Sequence, residues 1–157
     1  MDWNGASRTN FFRVANIDGL RERLSAFPIQ IVRHPEESSH YALVPETEYG
    51  EFPWNFLDEN DEEVELKFET DVMPFVAEDE VVVLMESGSE GVRYMTGYAQ
   101  AFVRRGDKVE SVGLSLRDIY QKAAQAFHVN VESIMEASSL ADLPPGAEKP
   151  PARPRQN

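Results

Sequence analysis

The chain has 157 residues, a formal charge of −13 at pH 7 and no cysteine. A single domain of this length buries about two-thirds of its unfolded surface, and the lack of cysteine excludes disulfides, thiolate nucleophiles and Cys-containing zinc sites. The excess of 28 acidic over 15 basic residues repels phosphate backbones and anionic lipid, which disfavours direct binding to nucleic acid or membranes.

Both ends of the chain lack the periodicity of folded segments. Residues 1–8 predict a flexible lead-in, without the basic and apolar parts of a signal peptide. Residues 142–157 hold five of the ten prolines and no apolar run. Burial of apolar surface therefore cannot offset the conformational entropy that this segment would lose on ordering. We expect one domain over residues 9–141 and a disordered Pro-rich tail. No apolar run is long enough to span a bilayer, and we expect a cytoplasmic protein.

The first part of the domain predicts a strand, a helix and a hairpin. Residues 9–14 are rich in aromatic and β-branched side chains, which is typical of a strand. Apolar residues then recur at helical spacing, with Asp18 as the predicted N-cap and Pro28 as the stop. Two further strands, 28–34 and 40–45, flank a turn-prone segment and predict a hairpin.

The middle of the domain is acidic, and its sequence predicts both a strand and a helix. Residues 62–68 alternate strictly between apolar and charged side chains, which predicts a half-buried strand. Residues 70–79 predict a short helix, because Pro74 falls in its first turn, where a missing N–H is tolerated.

The last part predicts a three-stranded meander. Its strands are the apolar run 81–87, residues 92–105 and residues 108–116, with a turn at 88–91 between the first two.

A capping box indicates where the final helix begins. Ser115 and Asp118 have the required spacing, and apolar residues follow at helical intervals, with a further short helix possible over 131–137. The sequence therefore predicts an α+β fold, an antiparallel sheet of about five to seven strands with two or three helices packed mainly on one face.

Searches for metal and catalytic motifs give only partial matches. His34 and His40 flank a turn but lack the i, i+4 spacing of helical zinc motifs, so we interpret them as strand-end residues. From Asp58 onward, acidic residues occupy several of the ligand positions of a calcium-binding loop. Glu63, however, stands at the position where the sharp turn of such a loop requires Gly. Residues 88–91 match neither a phosphate loop nor a nucleophile elbow. We therefore expect no metal, no cofactor and no catalytic residue.

Residues 46–80 hold fourteen of the 28 acids and one base, Lys67. Such a run is either a solvated face that keeps the protein soluble or a surface that attracts a basic partner. Alternate residues on a strand lie about 6.5 to 7 Å apart, so Glu63 and Glu65 would form a row of charges that resembles a phosphate backbone. The acids flanking this row are Asp58, Asp61 and Glu62.

Aromatic residues lie within the same acidic segment. Tyr49, Phe52 and Trp54 surround Pro53. Large rings in such a connection either cap the sheet or project as anchors for a partner, because they contribute much contact area at little rotamer cost.

Three stretches, SRTNFFRV, EVVVLMESGSEGVRYMTGYA and SLRDIYQKAA, resemble a group of small acidic proteins from bacterial plasmids, integrative elements and phages. The resemblance covers most of the folded region and implies a context only. Small acidic proteins of mobile elements often counteract host nucleases, by imitating nucleic acid or by occluding a protein surface. The resemblance assigns no role to any residue.

These observations lead to one main hypothesis and two alternatives. The main hypothesis is a non-enzymatic acidic protein that docks on a basic, nucleic-acid-handling partner, in its sharpest form a mobile-element inhibitor of a host defence system. The first alternative is a housekeeping interaction module or small regulatory subunit that uses an apolar sheet face or edge. The second is a small carboxylate-based enzyme, which requires a deep pocket with two converging carboxylates. The predicted partner-binding residues are Glu62, Glu63, Glu65, Asp58, Asp61, Tyr49, Phe52 and Trp54.

Overall fold

The structure, a computed structural model, describes residues 3–90 and 94–135. The predicted tail over residues 142–157 lies outside the described residues. The described residues form the nine strands β1 (Trp3–Thr9), β2 (Phe12–Arg13), β3 (Ile29–Arg33), β4 (His40–Pro45), β5 (Asn55–Leu57), β6 (Glu63–Glu65), β7 (Val81–Glu90), β8 (Tyr94–Arg105) and β9 (Lys108–Ser115). The helices are α1 (Ile17–Leu24), α2 (Phe68–Asp71) and α3 (Asp118–Phe127), with single 3₁₀ turns at Met73–Phe75 and Val131–Ser133. The predicted α+β class is confirmed.

The strands form three antiparallel sheets, where the sequence predicts one. The main sheet has the order β1-β7-β8-β9, a second sheet has the order β2-β4-β3, and β5 pairs with β6 alone. The predicted first strand is divided at Asn10, whose side chain donates to the carbonyl of Val81 and accepts from the N–H of Val83. The Asn10 backbone N–H also donates to the Val83 carbonyl at 2.9 Å, so both its backbone and its side chain hold the chain to β7 where it leaves the main sheet and enters the second.

The predicted flexible lead-in is wrong for residues 3–8, which belong to β1. This strand pairs along its whole length with β7, from Trp3 opposite Glu90 to Thr9 opposite Leu84. Its two buried side chains are polar, and therefore no apolar alternation marks it in the sequence. Ser7 Oγ donates to the Gly50 carbonyl at 2.8 Å, and Thr9 Oγ1 accepts from the Leu43 N–H at 2.8 Å.

The hairpin β3–β4 and the meander β7–β8–β9 form as predicted. The turn predicted at 88–91 is wrong for Gly88, Ser89 and Glu90, which continue β7 and pair on both sides, and Gly91 lies outside the described residues. Helix α1 begins two residues earlier than predicted. Its N-cap is Asn16, whose side chain accepts from the Gly19 N–H at 2.9 Å, in place of Asp18.

The alternation over residues 62–68 is confirmed by burial, although the strand itself is shorter. Leu66 and Phe68 are fully buried, whereas Glu63, Glu65 and Lys67 are exposed. The chain leaves the strand at Leu66, because the Asp71 carboxylate accepts from the Lys67 N–H at 2.8 Å and caps α2.

The hydrophobic core lies between the main sheet, the second sheet and helices α1 and α2. From the main sheet it takes the alternate residues Val82, Leu84 and Phe102, and Phe68 stacks on Phe102 with ring centroids 4.7 Å apart. The opposite face of the main sheet therefore points away from the core. Within the described residues, no helix has the length and apolar character needed to cross a membrane.

Candidate functional site

The predicted acidic residues converge on one structure, which we call the acidic hairpin and define as residues 55–65. Strands β5 and β6 pair with Leu57 opposite Glu63 and Asn55 opposite Glu65. The connecting loop is held by the Asp58 carboxylate, which accepts from the N–H groups of Asn60 at 2.8 Å and Glu62 at 3.0 Å. These local hydrogen bonds give the loop a defined shape.

Glu63 and Glu65 project from the same exposed face of the acidic hairpin, as two-residue periodicity requires. On the same face, Leu57 of β5 lies directly opposite Glu63 and is 64% exposed. The other face packs inward, with Phe56 and Phe27 in ring contact at 5.1 Å. The exposed face therefore combines carboxylates with one large apolar side chain.

Leu57 is a candidate contact residue that the sequence analysis missed. It is adjacent to Phe56, and in a strand adjacent residues point to opposite faces. If residues 55–57 had been identified as a strand, alternation would have placed Leu57 on the solvent side. Only three residues form β5, which is too short for a periodic signal.

The acidic hairpin is anchored to the core side of the main sheet. The Leu66 N–H donates to the Trp54 carbonyl at 2.7 Å, and Trp54 Nε1 donates to Tyr98 Oη at 2.5 Å. Tyr98 lies opposite Glu86, on the side of the sheet that carries Phe102. The acidic hairpin is thus held on a rigid support.

The three predicted aromatic anchors lie in different environments. Phe52 is 3% exposed and contacts the rings of Trp54 and Phe68, so it caps the core and cannot project as an anchor. Trp54 is half-buried at the base of the acidic hairpin. Tyr49 is 47% exposed, and its carbonyl accepts from the Gly5 N–H at 3.0 Å on β1. Burial of Phe52 corrects its predicted role.

The remaining acids of residues 46–80 do not all join the acidic hairpin. Asp71 is buried in an ion pair with Arg23 at 2.7 Å. Three further acids serve local contacts: Glu78 accepts from the Gly106 N–H, Asp79 pairs with Arg105, and the half-buried Glu80 accepts from the Arg13 N–H. The acids of the acidic hairpin itself are Asp58, Glu59, Asp61, Glu62, Glu63 and Glu65, and Glu65 lies 3.8 Å from Lys67.

A polar network lies beneath the base of the acidic hairpin. Glu86 Oε1 accepts from the Phe52 N–H at 2.6 Å and also hydrogen-bonds to Tyr98. Burial raises the pKa of Tyr98 well above its usual value, and the adjacent Glu86 carboxylate raises it further, whereas the bond from Trp54 acts in the opposite direction. The network holds residues 52–54 against the sheet.

The second notable surface is the side of the main sheet that points away from the core. We call it the outer face, and it consists of Val81, Val83, Met85, Ala99, Ala101, Val103, Val112 and Leu114. Three of these residues are more than half exposed: Met85 at 60%, Leu114 at 61% and Val112 at 71%. Such an apolar sheet face is the surface that the first alternative hypothesis requires.

An open groove at one end of the outer face offers no catalytic group. Its lining includes Asn4, Ala6, Ser87, Met95 and Leu116, and it contains no acid or base. The second alternative hypothesis requires two converging carboxylates, which this groove does not supply.

The predicted strand-end role of the histidines fits their contacts. His34 Nδ1 accepts from the N–H groups of Glu36 and Glu37, and the His34 N–H donates to the His40 carbonyl. Across residues 3–90 and 94–135, no three side chains of the types that bind metals come together.

No protein-family model, curated protein or solved structure gives a significant match to this chain. The resemblance to proteins of mobile elements therefore remains a prediction.

Proposed function

We propose that this protein is a non-enzymatic binding protein, which docks its acidic hairpin on the basic surface of a nucleic-acid-handling partner. The observation that carries the proposal is the exposed face that combines Glu63 and Glu65 of β6 with Leu57 of β5, which lies directly opposite Glu63. Carboxylates attract a basic partner over about 10 Å at moderate salt and raise the rate of encounter. Leu57 would then be desolvated in the complex and slow its dissociation.

The rigidity of the acidic hairpin supports this proposal. Its loop is fixed by Asp58, and its base is attached to the main sheet through Trp54 and Tyr98. A preformed surface loses little conformational entropy on binding. Repulsion among adjacent acids costs stability, and attraction of a partner gives that cost a function.

The proposed class of partner follows from the spacing of the charges. A row of carboxylates at about 6.5 to 7 Å presents repeated negative charge to a surface that normally contacts phosphates. In its sharpest form, the proposal is a mobile-element inhibitor of a host defence system, and the sequence resemblance supports that form.

The test compares two variants of equal net charge. One carries Glu62→Lys, Glu63→Lys and Glu65→Lys, and the control carries Glu22→Lys, Glu36→Lys and Glu37→Lys at exposed sites outside the acidic hairpin. Tagged proteins are used to capture partners from the native host at about 50 and 500 mM salt. We expect the wild type and the control to capture the same basic protein at low salt only, and the acidic-hairpin variant to lose it.

Two results would overturn the proposal. One is capture that is insensitive to salt, and the other is equal capture by both variants. Equal capture would assign binding to a different surface, such as the outer face of the first alternative hypothesis. Leu57→Ser provides a further arm, because it should accelerate dissociation of the partner without changing the net charge.

A further inference from the structure

We propose that Arg21, Arg33 and Tyr41 form a binding site for a phosphate group at one end of the second sheet. Tyr41 on β4 is the cross-strand partner of Arg33 on β3, so their side chains are neighbours on one face of that sheet. The Arg21 guanidinium on α1 lies over the Tyr41 ring, 5.8 Å from its centroid. Two strands and one helix therefore bring two positive charges to the same phenol.

The second observation is the state of the Tyr41 side chain. Tyr41 is only 7% exposed, and its hydroxyl makes no hydrogen bond to another described residue. In the same part of the chain, the fully buried side-chain atoms without a partner are Glu51 Oε2 and Arg104 Nε, so the Tyr41 hydroxyl reaches the surface. A tyrosine that is this deeply buried usually has a partner for its hydroxyl. Here the hydroxyl is available to a ligand.

Neither arginine is neutralised by a close carboxylate. Arg33 is exposed and forms no ion pair within residues 3–90 and 94–135, although Glu36 and Glu37 follow it in the β3–β4 turn. Arg21 has Asp18 at 3.8 Å, and both side chains are more than half exposed. An exposed pair at this distance is weak, and therefore an incoming anion can compete with Asp18 for Arg21.

The chemistry of these three groups selects phosphate as the ligand. Each of them can donate hydrogen bonds, and the two guanidinium groups add two positive charges. A phosphate group offers up to two negative charges and several acceptor oxygens, which arginine binds in a bidentate manner. A carboxylate has one charge and two oxygens, so it would leave one of the arginines unmatched.

The site lies away from the acids that dominate the net charge. Residues 3–45 contain five arginines and four acids, a balance of +1, whereas residues 46–80 contain fourteen acids and one base. The acidic hairpin packs on Phe27, which precedes β3, and Arg33 is the last residue of that strand. The length of β3 is about 13 Å at 3.3 Å per residue, which exceeds the Debye length of about 8 Å at physiological salt.

Titration of the full chain with inorganic phosphate, followed by the NMR shifts of its backbone amides, tests the proposal. At constant ionic strength, the amides of Arg33 and Tyr41 should shift saturably, with a dissociation constant in the millimolar range. Arg33→Gln should weaken this binding severalfold. Arg13→Gln is the matched control, because Arg13 is an exposed arginine opposite His40, on the other face of the second sheet. It should bind phosphate as the wild type does.

Two further variants distinguish a ligand site from a structural role of the same residues. Tyr41→Phe keeps the ring beneath Arg21 and removes only the hydroxyl, so it should weaken phosphate binding severalfold in a folded protein. Asp18→Asn removes the carboxylate that competes for Arg21, so it should tighten phosphate binding. A purely structural role of Arg21 predicts no such gain.

Two other ligands identify the chemistry that the site recognises. Acetate should bind severalfold more weakly than phosphate. Inorganic phosphate that binds at least as tightly as glycerol 3-phosphate would identify the free ion as the ligand, and tighter binding of the ester would identify an organic phosphate. Three results would overturn the proposal: no saturable shift up to about 50 mM phosphate, acetate binding equal to that of phosphate, or unchanged binding by Arg33→Gln.

This inference does not depend on the proposed function. The variant with Glu62→Lys, Glu63→Lys and Glu65→Lys should still bind phosphate through Arg33, because its reversed charges lie beyond the opposite end of β3. Loss of partner capture with intact phosphate binding would therefore separate the two sites.

Discussion

Trp54 donates a hydrogen bond from Nε1 to Tyr98 Oη at 2.5 Å, and this contact joins the acidic hairpin to the main sheet. Tyr98 also contacts Glu86, so one phenol lies between an indole donor and a carboxylate acceptor. The Tyr98 hydroxyl therefore links the base of the acidic hairpin to the polar network on the main sheet.

Tyr98→Phe should lower stability at neutral pH and change its dependence on alkaline pH. Loss of the hydroxyl leaves Trp54 Nε1 without this acceptor, at a cost of about 1 to 2 kcal/mol. Because burial raises the pKa of Tyr98 above its ordinary value of about 10, the folded protein keeps this proton when the unfolded chain releases it. The resulting stabilisation is complete below about pH 10 and is lost as pH rises further.

Thermal unfolding between about pH 8 and 11 provides the measurement. Above pH 10, the melting temperature of the wild type should fall more steeply than that of Tyr98→Phe. Tyr49→Phe, at an exposed position, should retain the steep fall of the wild type. Parallel curves for the wild type and Tyr98→Phe would contradict the prediction.

Gly50→Ala should be strongly destabilising. Gly50 has a φ of +76°, and a Cβ at this position would overlap the Gly5 carbonyl on β1. The substitution combines left-handed strain with a backbone clash, and we expect a loss of about 2 to 4 kcal/mol.

Gly106→Ala is a matched control, since its φ is +62° but a Cβ would meet nothing within 4 Å. It should cost only about 1 kcal/mol, the strain of the left-handed conformation. Urea unfolding of both variants measures the difference. Equal losses would show that Gly5 and Gly50 do not approach closely.

Asp71→Ala should destabilise the core beneath α2. The buried Asp71 carboxylate accepts from Arg23 at 2.7 Å and from the Lys67 N–H at 2.8 Å. Its removal eliminates a charged hydrogen bond and the helix cap, and because Arg23 is half exposed we expect a loss of about 2 to 3 kcal/mol.

Asp18→Ala is the comparison for a solvent-exposed pair. Asp18 lies 3.8 Å from Arg21 and is almost fully exposed, so its removal should not measurably change the urea midpoint. A loss equal to that of Asp71→Ala would contradict the distinction between buried and exposed pairs.

Much of the fold follows from local sequence patterns, and the rest depends on tertiary contacts. Apolar alternation identifies the hairpin β3–β4 and the meander, because each strand has one buried face. Strand β1 gives no such pattern, since its buried positions are the polar residues Ser7 and Thr9. Their hydrogen-bond partners, Gly50 and Leu43, are distant in the sequence. Similarly, no local pattern distinguishes the buried acid Asp71 from its exposed neighbours.

The sequence also predicts some residues of the candidate surfaces and not others, for the same reason. Alternation correctly places Glu63 and Glu65 on one exposed face. It cannot show that Phe52 is buried, because that depends on the approach of Phe68 and Trp54. The exposed outer face was also not predicted, since a continuous apolar run such as residues 81–85 is equally typical of a strand buried on both sides.

Neutralising acids on the acidic hairpin should stabilise the protein at low salt. Glu62 and Glu63 are exposed and lie among like charges, and therefore Glu62→Gln with Glu63→Gln relieves repulsion worth a few tenths of a kcal/mol. The melting temperature should rise at about 20 mM salt, and the gain should disappear at about 500 mM, where the Debye length is only a few ångströms.

Glu22→Gln is the control for this measurement, because Glu22 is flanked in sequence by Arg21 and Arg23 on α1. Its neutralisation removes attraction instead of repulsion, so no gain in melting temperature should occur at either salt concentration. A stabilising effect at Glu62 and Glu63 that is absent at Glu22 would mean that the acids of the acidic hairpin oppose folding. A cost of this kind is expected both of acids that dock on a basic partner, as proposed, and of acids that keep the protein soluble.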